Sequence, residues 1–243
     1  MPKSMRNWVD ILLIVLLCFP VLSSGRQKPA VIVAFGNSVT APRKGVEKVY
    51  AARLLKKLDE AGINCKVINS GVGSSHTGSL TDNDFAKVRH GMDRFQEDVL
   101  NHGPGWVIIN FGLNDAYQDG GFDSEPRIPL ESYRNNLHYF IKKIREQGGR
   151  VILLTPNPLG SKYEWFRYRQ VEKYAGCMRE VAREQKVALV DSWELFYRSA
   201  QNRRTPGNID FLFLDGIHPN DQGHELIADA IFRIIRKKKI LTQ

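Results

Sequence analysis

The chain has 243 residues, 42% of them hydrophobic and 25% charged, the make-up of a folded globular protein and not of a disordered one. That length fits one α/β domain and gives no reason for two. A formal charge of +9 admits an acidic polymer or a membrane surface as partner, but no interleaving of aromatic and basic residues marks a nucleic-acid surface.

The first 25 residues stand apart. Lys3 and Arg6 precede the apolar run "ILLIVLLCFPVL" (11–22), and "SSG" supplies small residues before Arg26. This is the three-part pattern of a secretory signal, too short to cross a bilayer core of about 30 Å as a helix. The expectation is a leader over 1–25, then a single exported domain over 26–243 with no stable membrane insertion after cleavage. Asp10 beside the apolar run leaves an uncleaved anchor as the alternative. Leu17 before Cys18 argues against a lipid-modified cysteine.

Downstream, continuous apolar runs recur at "AVIVAF" (30–35), "CKVIN" (65–69), "WVIINF" (106–111), "VILLT" (151–155) and "VALVD" (187–191). Continuous rather than alternating runs suit parallel strands covered on both faces. Helical stripes separate them. Val46, Tyr50, Ala51, Leu54, Leu55 and Leu58 share a face that Gly62 closes. Tyr133, Leu137, Phe140, Ile141 and Ile144 form the next, and Val171, Tyr174, Ala175, Met178, Val181 and Ala182 another. The last helix presents Leu226, Ile227, Ala230, Ile231, Ile234 and Ile235. Strand-helix alternation predicts a doubly wound, mainly five-stranded parallel sheet with right-handed crossovers.

Outside the leader, the cysteines are Cys65 at the start of a strand and Cys177 in a helix. Either a disulfide or two separate thiols fits, since spacing cannot place them within bonding distance. No CxxC or His-x-His spacing suggests a metal, and no cofactor is expected. Basic residues gather in "KKIREQGGR" (142–150), "RR" (203–204) and "RKKK" (236–239); the first and last fall in C-terminal halves of predicted helices, where cations complement the dipole, so a solvated basic surface is the default reading.

In a doubly wound sheet, ligands bind outside the carboxyl ends of the strands. Four polar segments fall there: "GNSVT" (36–40), "SGVGSSHTG" (70–78), "GLNDA" (112–116) and "LDGIHPND" (214–221). Asp215 and His218 lie three apart in a Gly- and Pro-containing loop. One turn brings a carboxylate to an imidazole, which could then take a proton from Ser38. Gly71 can offer an unobstructed N–H, Asn114 an amide and Ser38 its own N–H to a developing oxyanion. Each residue alone reads equally as a capping or turn residue. The nucleophile elbow Gly-x-Ser-x-Gly does not fit, because "GNSVT" lacks the final glycine and Pro42 follows too soon.

Together the four segments resemble the SGNH/GDSL family of esterases and lipases, through "GNSVT", "NSGVG" (69–73), "GLND" (112–115) and "DGIH" (215–218). The resemblance implies a flavodoxin-like three-layer α/β/α sandwich. It also implies Ser38 as nucleophile, Asp215 and His218 completing a triad, and Ser38, Gly71 and Asn114 as oxyanion donors. The family's usual Asp before the serine is Asn37 here, which keeps the size but loses the charge.

Export favours an extracytoplasmic substrate, with an acetylated carbohydrate the leading expectation for a serine esterase acting through an acyl-enzyme. The aromatic run "YEWFRY" (163–168) offers rings to stack on sugar faces. A lysophospholipase or thioesterase, a non-catalytic glycan-binding module and a protein held to a polyanion by its basic patches remain the alternatives. His76, His90, His102, His138 and His224 fit no second site.

Overall fold

The computed structural model describes residues 29–201 and 206–237. The expected leader, including Cys18, lies outside them, as do Arg203, Arg204 and the lysines at 238 and 239. Strands β1 (Ala30–Gly36), β2 (Cys65–Gly71), β3 (Trp106–Asn110), β4 (Arg150–Leu154) and β5 (Ala188–Val190) match the five apolar runs to within two residues at each end. All pair in parallel, in the order β2-β1-β3-β4-β5. This is the flavodoxin-like order, with its switch point between β1 and β3. Ile32, Val33, Ala34 and Phe35 of β1 are fully buried; each large apolar side chain among them contributes about 1.5–3 kcal/mol.

Among the described residues the α-helices are, in sequence, α1 (Tyr50–Glu60), α2 (Gly91–Asp98), α3 (Leu130–Glu146), α4 (Trp165–Glu184), α5 (Ser192–Ser199) and α6 (Asp221–Lys237). α1 packs against α6, and α3 against α4. The stripes read for α3 and α4 are buried residue for residue. In α6 the buried face is turned toward His224 and Ala228, leaving Leu226, Ala230 and Ile234 only partly covered. Cys65 and Cys177 are free thiols. Among the described residues, no helix is long and apolar enough to cross a membrane.

α1 begins at Tyr50, not at Val46. The reason lies in α6. Asp221 accepts the backbone N–H groups of Glu47 (3.1 Å) and Lys48 (3.3 Å), holding this segment off the helical path. Arg53 then pairs with Asp221 and Glu225, and Lys57 with Glu225 and Asp229. Long-range ion pairs thus fix where this helix starts.

The same interface encloses His224. Its Nδ1 accepts the N–H of Tyr50 at 3.2 Å, and burial, with Arg53 nearby, pushes its pKa down from 6.5 to about 4. The fold therefore prefers neutral His224, and that contribution is complete above the unfolded value. As pH falls from 6.5 toward 4, the unfolded chain takes up a proton that the fold refuses, costing about 1.4 kcal/mol per pH unit. Melting curves across this window are expected to show a falling Tm, and His224→Asn to flatten the slope. An unchanged slope in the variant excludes His224 as the titrating group.

Candidate active site

The register of the sheet sets the site. Gly36 of β1 lies opposite Gly71 of β2 and Asn110 of β3, so three loops leave the sheet at one level. Ser38 follows Gly36 by two residues, on a turn closed by Thr40 N–H and Ala41 N–H donating to Asn37 C=O, each at 3.0 Å. Asn37 is buried, and its Oδ1 accepts Val39 N–H at 2.9 Å. An acceptor oxygen is what this turn uses, and Asn supplies it as Asp would. The Asn37 Nδ2 has no partner, the local cost of an amide at this position.

Ser38 Oγ lies 3.0 Å from His218 Nε2, and His218 Nδ1 lies 2.7 Å from Asp215 Oδ2. Asp215 Oδ1 also accepts the N–H groups of Ile217 (3.2 Å) and His218 (2.8 Å). Gly216 carries the tight turn between them at φ 82°, a region side chains rarely enter. Burial would raise the Asp215 carboxyl, but the His218 N–H, the imidazole and the Ile217 N–H outweigh it and hold the carboxyl below its usual range. Burial pushes the His218 imidazole below 6.5, helped by Arg43 and Lys162 and opposed by Asp215. With Nδ1–H donating to the carboxylate, Nε2 is left as the acceptor facing Ser38.

The loop after β4 cradles this turn. Gly160 N–H donates to Gly216 C=O at 2.6 Å, and Asn157 Nδ2 to Ile217 C=O at 3.0 Å. On the other side, Asn114 Nδ2 donates to Ser75 C=O at 2.9 Å. Its neighbour Asp115 is buried and accepts Thr77 N–H (2.8 Å), Thr77 Oγ–H (2.5 Å) and Gly112 N–H (2.9 Å). The loops after β2 and β3 are therefore riveted together through adjacent residues. Ser74, just before the accepting carbonyl, adopts a left-handed φ of 61°. Such strain in a non-glycine residue costs on the order of 1 kcal/mol.

Gly71 departs from the sequence reading. Its N–H is not free, because it donates to Asn69 Oδ1 at 2.9 Å. A glycine is needed here for another reason: a Cβ would stand 2.2 Å from the Ala41 nitrogen and 2.5 Å from the Thr40 carbonyl carbon. Gly71 lets β2 press against the Ser38 turn. By contrast, the Ser38 N–H meets no protein acceptor among the described residues.

Sequence reasoning missed Arg94, which is 2% exposed in α2. Its guanidinium donates to Gly36 C=O and Ser70 C=O, both at 2.7 Å, and to Asp98 Oδ2 at 2.8 Å. It also stacks 4.5 Å over the Phe35 ring. A charged residue where a helix should bury an apolar stripe hid this helix from periodicity. His76 and His90 stack on each other at 3.5 Å, and His76 Nε2 lies 3.0 Å from Asn83 C=O. Of the aromatic run, Tyr168 is spent on Trp193 and Tyr197, Phe166 meets Phe122 edge-on and Trp165 is 70% exposed.

Comparisons with known proteins bear on this arrangement. A model of the GDSL-like lipase/acylhydrolase family matches residues 34–226. The chain is 29% identical to the lipoprotein YqeF of Bacillus subtilis, over 82% of this chain and 87% of that one. It is 25% identical to an acetylxylan esterase of Geobacillus stearothermophilus, over 88% and 90%. A solved structure of a catalytic mutant of that esterase superposes with a TM-score of 0.67 at 24% identity, over 85% of this chain and 94% of that one. An isoamyl acetate-hydrolyzing esterase 1 homolog of Mus musculus is 26% identical, over 85% and 82%.

Arg94→Gln tests the clamp beneath the strand ends. Charge-assisted bonds to one buried and two partly buried oxygens are lost, so urea unfolding is expected to show a loss of about 3 kcal/mol. A loss under about 0.5 kcal/mol, the size of an ordinary surface change, excludes the clamp.

Proposed function

Since the chain belongs to the GDSL-like lipase/acylhydrolase family of carboxylic ester hydrolases, we propose that it is a serine esterase that removes an acetyl group from an exported or extracellular carbohydrate. Ser38 is the nucleophile, His218 the general base and acid, and Asp215 its partner. The observation that carries this reading is the unbroken chain from Ser38 Oγ through His218 to Asp215, at 3.0 and 2.7 Å.

In this mechanism, Ser38 Oγ attacks the ester carbonyl carbon as His218 Nε2 takes its proton. The carbonyl oxygen becomes an oxyanion facing the free N–H of Ser38 and the second amide hydrogen of Asn114. Each such donor contributes about 3–4 kcal/mol of barrier reduction. Gly71 joins them only by releasing Asn69. The imidazolium, held by Asp215, then protonates the leaving alkoxide, and the alcohol departs from acetyl-Ser38. A water attacks that ester while giving a proton to His218. Collapse returns the proton to Ser38 Oγ and frees acetate.

The acetyl group is supported by two relatives whose names specify acetate esters of very different alcohols, xylan and isoamyl alcohol. The carbohydrate half rests on the leader-like N-terminus and on the exposed ring of Trp165.

Hydrolysis of p-nitrophenyl acetate is expected to fall by at least about 10³-fold in Ser38→Ala. Equal rates for both proteins leave the glycan-binding alternative in its place. The base must be neutral to act, and burial with Arg43 and Lys162 nearby holds His218 below 6.5. The acidic limb of kcat/KM is therefore expected to have an apparent pKa below 6.5, with full activity retained above it. A limb above that value contradicts the assignment.

A further inference from the structure

The mouth of the site carries cations that the reaction itself does not need. Arg43 sits on the turn that follows Ser38, its Nη1 3.7 Å from Asp215 Oδ2. Its Nε is buried with no partner. Asp215 is already engaged by His218 and two backbone N–H groups, so Arg43 shares a carboxylate that is spoken for. Lys162, from the cradle loop, lies against the same turn. A Cβ built on Gly216 would stand 3.1 Å from its Cγ and Cε, and its Nζ is 5.5 Å from the Tyr163 ring centre. Lys162 is exposed and has no carboxylate within ion-pair distance among the described residues. Both cations act on the His218 imidazole.

Across the mouth, the turn after Asn114 presents Tyr117, whose N–H donates to Asn114 C=O at 3.3 Å. Its ring lies between the guanidiniums of Arg127 (4.7 Å) and Arg167 (4.3 Å). These two are balanced by Asp119 and Glu164, so the unbalanced charge belongs to the His218 side. An ester whose alcohol portion is neutral gains nothing from that charge. An alcohol portion carrying a carboxylate gains on binding and again on holding the product alcohol beside the imidazolium.

We infer that the acetylated alcohol is an acidic carbohydrate, with Lys162 and Arg43 taking a sugar carboxylate beside the esterified oxygen. This rests on the esterase reading above and ranks uronic-acid chains over neutral xylan. Exposed charge pairs are weak, so the expected preference is modest, about five- to tenfold in kcat/KM.

The test compares acetate release from acetylated oligogalacturonides and from acetylated xylo-oligosaccharides of equal length. Acetyl-free oligomers serve in parallel as inhibitors of p-nitrophenyl acetate hydrolysis. The acidic substrate and inhibitor are expected to be preferred at about 20 mM salt, and the preference to collapse at about 0.5 M, where exposed charges are screened. Lys162→Glu is expected to remove the acidic-over-neutral ratio. Lys142→Glu makes the same change of charge on an exposed site near the far end of α3 and should leave that ratio intact. A ratio of one or less, a ratio insensitive to salt, or equal effects of the two variants overturns the inference. Absence of Ser38-dependent p-nitrophenyl acetate hydrolysis instead removes the esterase reading on which it rests, so the two failures are told apart.

Discussion

Parallel pairing of β1 with β2 and β3 is the constraint on which the site depends. It ends Gly36, Gly71 and Asn110 at one level, and Ser38, Ser75 and Asn114 each follow within four residues. Small shifts of one strand against another would separate them. The close approach at Gly71 and the Arg94 guanidinium both oppose such shifts. Arg94 holds the carbonyls of Gly36 and Ser70, on adjacent strands, with one planar fork. Placing a buried cation on backbone carbonyls is costly unless every donor finds oxygen. Here its two terminal nitrogens do, while Nε does not.

The Asp215–His218 turn reaches the serine from a distant part of the chain. It depends on the loop after β4 rather than on any strand of its own. Gly160 and Asn157 hold its outer carbonyls, and Asp215 holds its N–H groups. The carboxylate thus does structural work through Oδ1 and electrostatic work through Oδ2. Burial, helped by the neighbouring cations, shifts the balance of His218 toward the neutral base, at some expense to the imidazolium that follows.

Much of this was legible in sequence because the signals were local. Five apolar runs became five strands, and the stripes of α3 and α4 were complete. The four polar segments could be assigned to strand ends from element order alone, and the family's motif order singled out Ser38, Asp215 and His218. What stayed hidden depends on partners far along the chain. α1 starts four residues late because Asp221 takes its first N–H groups. α2 buries Arg94 and Phe95 instead of a stripe. α5 is short, and only Asp191, whose side chain accepts Glu194 N–H, marked its start. Gly71 was read for its freedom to donate, whereas the fold uses its lack of a side chain. Lys162 carries no local signature at all, since its meaning comes from lying on Gly216.

The central claim is that Ser38 is an activated alcohol. A fluorophosphonate probe, which bonds to serines made nucleophilic by a neighbouring base, tests it without any assumption about substrate. Intact-mass and peptide analysis should find one adduct per chain, on Ser38, lost when His218 is replaced by alanine. An unlabelled protein, or label on another residue that survives loss of His218, would contradict the account.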